Sequence, residues 1–108
     1  MSYEIIDRLQ TTIRKNRLKD PKESYVAHLF NKGRNKMAQK LGEEAVELVI
    51  EAARNDPKKA TSEAADLLFH LLVLLEEMGI PLEDVLHALE KREGVSGHDE
   101  KNKRKKGI

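Results

Sequence analysis

A chain of 108 residues suits one domain. The absence of cysteine excludes a disulfide framework and a thiolate zinc site. A net charge of +1 with only 4% aromatic residues gives no overall bias toward nucleic acid, although 36% of the chain is charged.

No segment alternates with period two, and glycine and proline fall between helical patterns, so the expected fold is all-α, a bundle of four main helices. The first helix is predicted from about Tyr3 to Asn16, with Ile5, Ile6, Leu9 and Ile13 as its apolar stripe. A connector marked by Asp20-Pro21 follows, with Gly33 near its end. The second helix is predicted from about Asn35 to Arg54. Asp56-Pro57 signals the start of the third, and Gly79 is its expected C′ residue after Met78. Pro81 opens the fourth, which runs to about Glu93. From about residue 94 a polar, flexible tail is expected, ending in K-N-K-R-K-K (101–106). The N-terminus has no apolar signal core, and the longest apolar run, Leu71 to Leu75, is too short for a bilayer. The expectation is therefore one domain over 1–108, cytoplasmic and without membrane or nucleic-acid partners.

Two acidic groups stand out: E-E-x-x-E at Glu43, Glu44 and Glu47, and E-x-x-D at Glu63 and Asp66. Carboxylates three or four residues apart share a helix face. On the second helix, Lys36, Lys40, Glu43, Glu44, Glu47, Glu51 and Arg54 fall in an arc of about 100°, which alone describes a solvated face. The third helix differs. From Ala64 to Met78 it is apolar nearly all round, which predicts burial on every side, yet Glu63, Asp66 and His70 draw a narrow polar stripe along it. Buried carboxylates need partners. Either Lys36, Lys40 or Arg54 neutralises them, or they form a metal cage with Glu44 and Glu47. Gly42, just before Glu43, fits close approach of a substrate or simple helix clearance.

Carboxylates without cysteine, and with at most one nearby histidine, suit Mg²⁺. The matching chemistry is hydrolysis or transfer at phosphorus. Glu43 or Glu47 is placed to orient or deprotonate the attacking water. His70 is either a satisfied core histidine or a group that hydrogen-bonds a carboxylate ligand or a phosphate. His28, His87 and His98 show no comparable spacing. The basic tail is either solvated or a clamp on a polyanionic substrate.

These residues resemble the all-α, MazG-like nucleoside triphosphate pyrophosphohydrolases, whose mark is E-E-x-x-E followed by E-x-x-D. S-Y-V-A-H-L-F-N-K-G (24–33), K-L-G-E-E-A-V-E-L-V-I-E-A (40–52), E-A-A-D-L-L-F-H-L-L-V-L-L (63–75) and S-G-H-D-E-K (96–101) narrow the resemblance to the phosphoribosyl-ATP pyrophosphohydrolases of histidine biosynthesis. The resemblance implies Mg²⁺-dependent, ATP-like nucleotide hydrolysis: phosphoribosyl-ATP and water give phosphoribosyl-AMP and pyrophosphate. It places Glu44, Glu47, Glu63 and Asp66 on the metal, with Glu43 close by as ligand or base. Lys36, Lys40, Arg92, Lys101 and Arg104 are candidate phosphate contacts by position and charge. It also implies a homodimer. A fused, cysteine-bearing cyclohydrolase domain is not expected here.

Three other readings compete with this one. A housekeeping hydrolase of dCTP, dUTP or damaged nucleotides would keep the cage and change the base pocket. A non-catalytic helical module would show no response to Mg²⁺. A di-iron bundle wants Glu-x-x-His on two helices, a spacing the chain lacks.

Overall fold

The computed structural model describes residues 3–93, and within them every regular element is a helix. The tail, including Lys101, Arg104 and the S-G-H-D-E-K segment, lies outside the described residues.

There are five helices among the described residues, not four. α1 spans Glu4–Asn16, with Glu4 and Asp7 in its first turn and Arg14 and Lys15 in its last, both matched to the helix dipole. α2 spans Tyr25–Lys32, inside the segment expected to be a connector. It is only eight residues long, yet it is capped: the Ser24 hydroxyl accepts from Ala27 N–H at 3.1 Å. Val26, Ala27 and Leu29 are buried, so packing stabilises a helix too short to persist alone. Gly33, at φ +98°, ends α2 and starts α3 in a single residue, a backbone conformation that favours glycine.

α3 spans Arg34–Ala53 and α4 spans Pro57–Met78. Three residues join them, and such a short connection makes the two helices antiparallel neighbours. Their mutual packing is the most extensive in the chain. Asp56 caps α4 through Lys59 N–H at 3.1 Å, Pro57 occupies the first turn, and Gly79 closes it in the left-handed region. α5 spans Leu82–Arg92 and contains no buried residue.

The core is formed by Ile13, Val26, Leu29, Met37, Leu72 and Val73, with Leu9, Phe30, Phe69, Leu74 and Leu82 packed against it. It therefore sits among α1, α2, the start of α3 and the C-terminal half of α4. Beyond Met37, the buried residues of α3 are Glu44 and Glu51. The side of α3 expected to be solvated is partly turned inward, while Val46, Val49 and Ile50 are exposed. The expectation that α4 is buried on every side also fails in the single chain: Ala64, Ala65, Leu68 and Met78 are exposed. Nothing among the described residues covers those positions. No described helix is long and apolar enough to cross a membrane.

Candidate active site

Antiparallel pairing brings the middle of α3 beside the N-terminal half of α4. Glu44, Glu63 and Asp66 each present a carboxylate oxygen, and these oxygens lie within 4.8 Å of one another. Glu47, one turn after Glu44, lies within hydrogen-bonding reach of both Glu44 and Glu63. Glu44 is buried, Glu63 is half-buried, and Glu47 and Asp66 reach solvent. The group thus has a dry floor and an open rim.

Its electrostatics show an unmet need for positive charge. Among the described residues no lysine or arginine is ion-paired with Glu44, Glu63 or Asp66. Lys40 pairs instead with Glu43 at 3.4 Å, and Arg54 with Glu51 at 3.1 Å. Glu44 Oε2 and Glu63 Oε2 are buried and accept from no donor. Burial, with the Glu47 and Asp66 charges, raises the pKa of Glu44 above the usual carboxylate range. Glu63 is pushed up to about 7, first by its hydrogen bond with Glu47 and then by burial and by the Glu47, Glu44 and Asp66 charges.

A hard divalent ion fits this donor set. Carboxylate oxygens converge from two rigid helices, no sulfur competes, and two buried oxygens lack any donor. Mg²⁺ also keeps room for phosphate oxygens when it binds through carboxylates, and the open rim leaves that room.

The sequence pattern of the phosphoribosyl-ATP pyrophosphohydrolase family matches residues 6–93. The chain belongs to this enzyme family. It is 59% identical over 102 residues to the phosphoribosyl-ATP pyrophosphatase of Rhizorhabdus wittichii, covering 94% of this chain and 96% of that one. It is 50% identical over 106 residues to the phosphoribosyl-ATP pyrophosphatase of Zymomonas mobilis, covering 98% and 99%. It is 50% identical over 105 residues to that of Azospirillum brasilense, covering 97% and 95%.

The remaining positions singled out in the sequence fall around the carboxylate group in different ways. Glu43 is exposed and tied to its own helix, accepting from Gln39 Nε2 at 2.8 Å and from Lys40 Nζ at 3.4 Å. Those two bonds lower its pKa, while the bond to Glu43 raises that of Lys40. Lys36 is half-buried on the same helix and contributes to lowering Glu43. Arg92 is exposed at the end of α5, a helix that is not brought to the carboxylates.

His70 is buried one turn after Asp66. Its Nδ1 lies 2.8 Å from the Asp66 backbone carbonyl, not from the carboxylate. A carbonyl only accepts, so Nδ1 carries the hydrogen and Nε2 is left as an acceptor. The Tyr25 hydroxyl then donates to Nε2 at 2.9 Å. Burial first, and the Glu44, Glu43 and Asp66 charges after it, raise the Tyr25 pKa against the opposing effect of Lys40. Tyr25 was not among the predicted site residues. The contact spans 45 positions and leaves no local spacing to read; the available signals were the Ser24 cap and the place of Tyr25 in the S-Y-V-A-H-L-F-N-K-G segment.

A cleft of about 520 Å³ lies elsewhere, between α1 and the far end of α4, lined by residues including Gln10, Arg14, Arg17 and Glu76. Its arginines are already paired with Glu76 and Glu77, so it lacks the uncompensated charge of the carboxylate group.

Proposed function

We propose that this chain hydrolyses phosphoribosyl-ATP to phosphoribosyl-AMP and pyrophosphate with Mg²⁺, the second step of histidine biosynthesis, in the cytoplasm and as a homodimer. The observation that carries the reading is the convergence of Glu44, Glu63 and Asp66, with buried oxygens that have no donor, in a chain of this family.

Glu44, Glu47, Glu63 and Asp66 are the residues that would hold the ion. An Mg²⁺ ion held by them would supply polarisation of phosphate oxygens and a lowered pKa for the attacking water. Glu47 is exposed and adjoins both Glu44 and Glu63, so it is the group placed to orient that water or accept its proton. Glu43 has a different part. Its bonds to Gln39 and Lys40, and its lowered proton affinity, make it an anchor for the Lys40 ammonium. Lys40, at the rim, meets the polyphosphate, with Lys36 on the preceding turn adding positive charge. His70 braces the Asp66 turn from beneath through its bond to the Asp66 carbonyl. Overall, one oxygen of water becomes bonded to phosphorus, one P–O–P link breaks, and pyrophosphate leaves.

Support for the homodimer comes from Val46, Val49 and Ile50 on α3 and Leu68 on α4, apolar side chains that the described residues leave exposed. A second copy laid on this face would cover it beside the carboxylates. Ultracentrifugation should return twice the chain mass, and Val49→Glu should shift the population toward monomer.

The deciding assay measures pyrophosphate release from phosphoribosyl-ATP and from a panel of dNTPs, with and without Mg²⁺. Phosphoribosyl-ATP should be turned over fastest and only with the metal. Equal or faster turnover of any dNTP would defeat the substrate assignment, and turnover unaffected by chelator would defeat the metal role.

A further inference from the structure

Tyr25 is the one aromatic side chain beside the carboxylates. The chain has two tyrosines, two phenylalanines and no tryptophan. Phe30 lies under the Arg17 guanidinium, 4.4 Å from the ring centroid. Phe69 is half-buried against the core. Tyr3 lines a pocket with residues of α1 and α5. Tyr25 instead reaches His70, one turn below Asp66, and feels the charges of Lys40, Glu44, Glu43 and Asp66.

Its orientation is the reverse of an ordinary core tyrosine. Such a residue buries its ring and lets its hydroxyl reach water. Here the hydroxyl is the tethered end, bonded to a buried histidine, while the residue stays 49% exposed. The ring is flanked at shallow angles by Phe69 (6.3 Å, 22°) and by His28 (6.5 Å, 25°), one turn further along α2. His70 meets it edge-on at 5.8 Å. A half-exposed ring fixed by its tip and held between neighbouring rings cannot swing aside, so its exposed part offers a preorganised aromatic surface next to the carboxylates.

We infer that Tyr25, extended by His28, is the platform on which the nucleoside half of the substrate rests while its phosphates face the carboxylates, and that His70 is the positioning residue that holds this platform. The inference rests on the nucleotide-hydrolase reading of the site and adds the element that grips the nucleoside. A purine has a π-face, and stacking on an aromatic side chain contributes roughly tenfold in affinity per base.

The test uses calorimetry on the full chain with Mg²⁺ and two probes, ATP and inorganic tripolyphosphate, which has the phosphates but no nucleoside. Wild type should bind ATP more tightly than tripolyphosphate. Tyr25→Leu should weaken ATP about tenfold and leave tripolyphosphate within about twofold, while Tyr25→Phe, which keeps the ring, should stay within about threefold for ATP. Retained tripolyphosphate binding also shows that the variant is folded. If Tyr25→Leu does not fold, His28→Ala carries the same test with an expected loss of about threefold for ATP alone. His70→Ala should weaken ATP selectively, and His70→Gln, which restores an acceptor for the phenol, should recover part of the loss.

Loss of both probes in proportion, loss of neither, or wild-type ATP binding no tighter than tripolyphosphate would overturn the platform. The two readings fail separately. Turnover of phosphoribosyl-ATP with Tyr25-independent ATP binding removes the platform alone. Tyr25-dependent ATP binding without turnover removes the hydrolase reading alone.

Discussion

The two ends of α4 carry the same kind of residue and treat it in opposite ways. Near its C-terminus, Glu76 is met by Arg14 Nε at 3.1 Å and Arg17 at 3.7 Å, and Glu77 by Arg17 at 4.0 Å. Near its N-terminus, about 15–20 Å from Glu76 along the helix axis, Glu63 and Asp66 gather with Glu44 and have no such partners among the described residues. Cations are not scarce in this chain, with 20 lysines and arginines against 19 acids. Lys40 and Arg54 stand on the facing helix, yet each pairs with a glutamate of its own helix. The difference separates charge compensated within the fold from charge that the described residues leave uncompensated. In the second, Glu44 and Glu63 each keep a buried oxygen without a donor and have raised pKa values, and no lysine or arginine among the described residues pairs with either.

The sharpest break of this comparison is functional. Asp66→Asn or Glu63→Gln should lower turnover of phosphoribosyl-ATP by at least about 100-fold, since even outer-shell changes at metal sites reach that size. Glu76→Gln, the matched change at the other end, should leave turnover within about twofold. Next in size is the response to the ion itself. At about 100 times its dissociation constant, Mg²⁺ should stabilise the fold by about 2.7 kcal/mol, a rise in melting temperature on the order of 10 °C. Differential scanning fluorimetry should show that rise in Glu76→Gln and lose it in Asp66→Asn.

A third contrast is in pH. In the metal-free protein Glu63 titrates near 7, above its ordinary 4.5, and Glu44 is raised as well. Between those two pH values the folded state binds more protons than the unfolded one, so stability falls as pH rises. Melting temperature in chelator should therefore drop from about pH 4.5 to 7, and Mg²⁺ should flatten the slope. Glu63→Gln should flatten it too, and a slope that survives this variant would show that the carboxylate group is not its source. The smallest expected effect is at the paired end. A double-mutant cycle on Arg14 and Glu76 should give a coupling of about 0.2–1 kcal/mol that shrinks with added salt, because the arginine is largely exposed.

Sequence spacing put Glu44 beside Glu47 on one helix and Glu63 beside Asp66 on the next, because three- and four-residue intervals have one meaning on a helix. The bounds of α4 were equally legible, set by Asp56-Pro57 before it and Gly79 after it. α2 was not. Asp20-Pro21 and Gly33 bracket it with breaking residues, and its stability comes from Val26 and Leu29 meeting residues far along the chain. Nor did the pattern on α3 say which side would turn inward. An arc rich in charge is ordinarily wet, yet Glu44 and Glu51 are buried while Val46 and Val49 are exposed. The placement of Tyr25 against His70 depends on that same tertiary packing.

The elbow at Gly33 gives this arrangement a built-in gauge. With no loop between α2 and α3, the reach from Tyr25 to Glu44 is set by residue count along two rigid arms. One residue inserted in either arm would turn everything beyond it by about 100°, carrying the phenol ring away from the acids. Surface connections usually tolerate gains and losses of length. The stretch between positions 25 and 44 should tolerate none, and a one-residue insertion there should abolish nucleotide binding even where the helices still form.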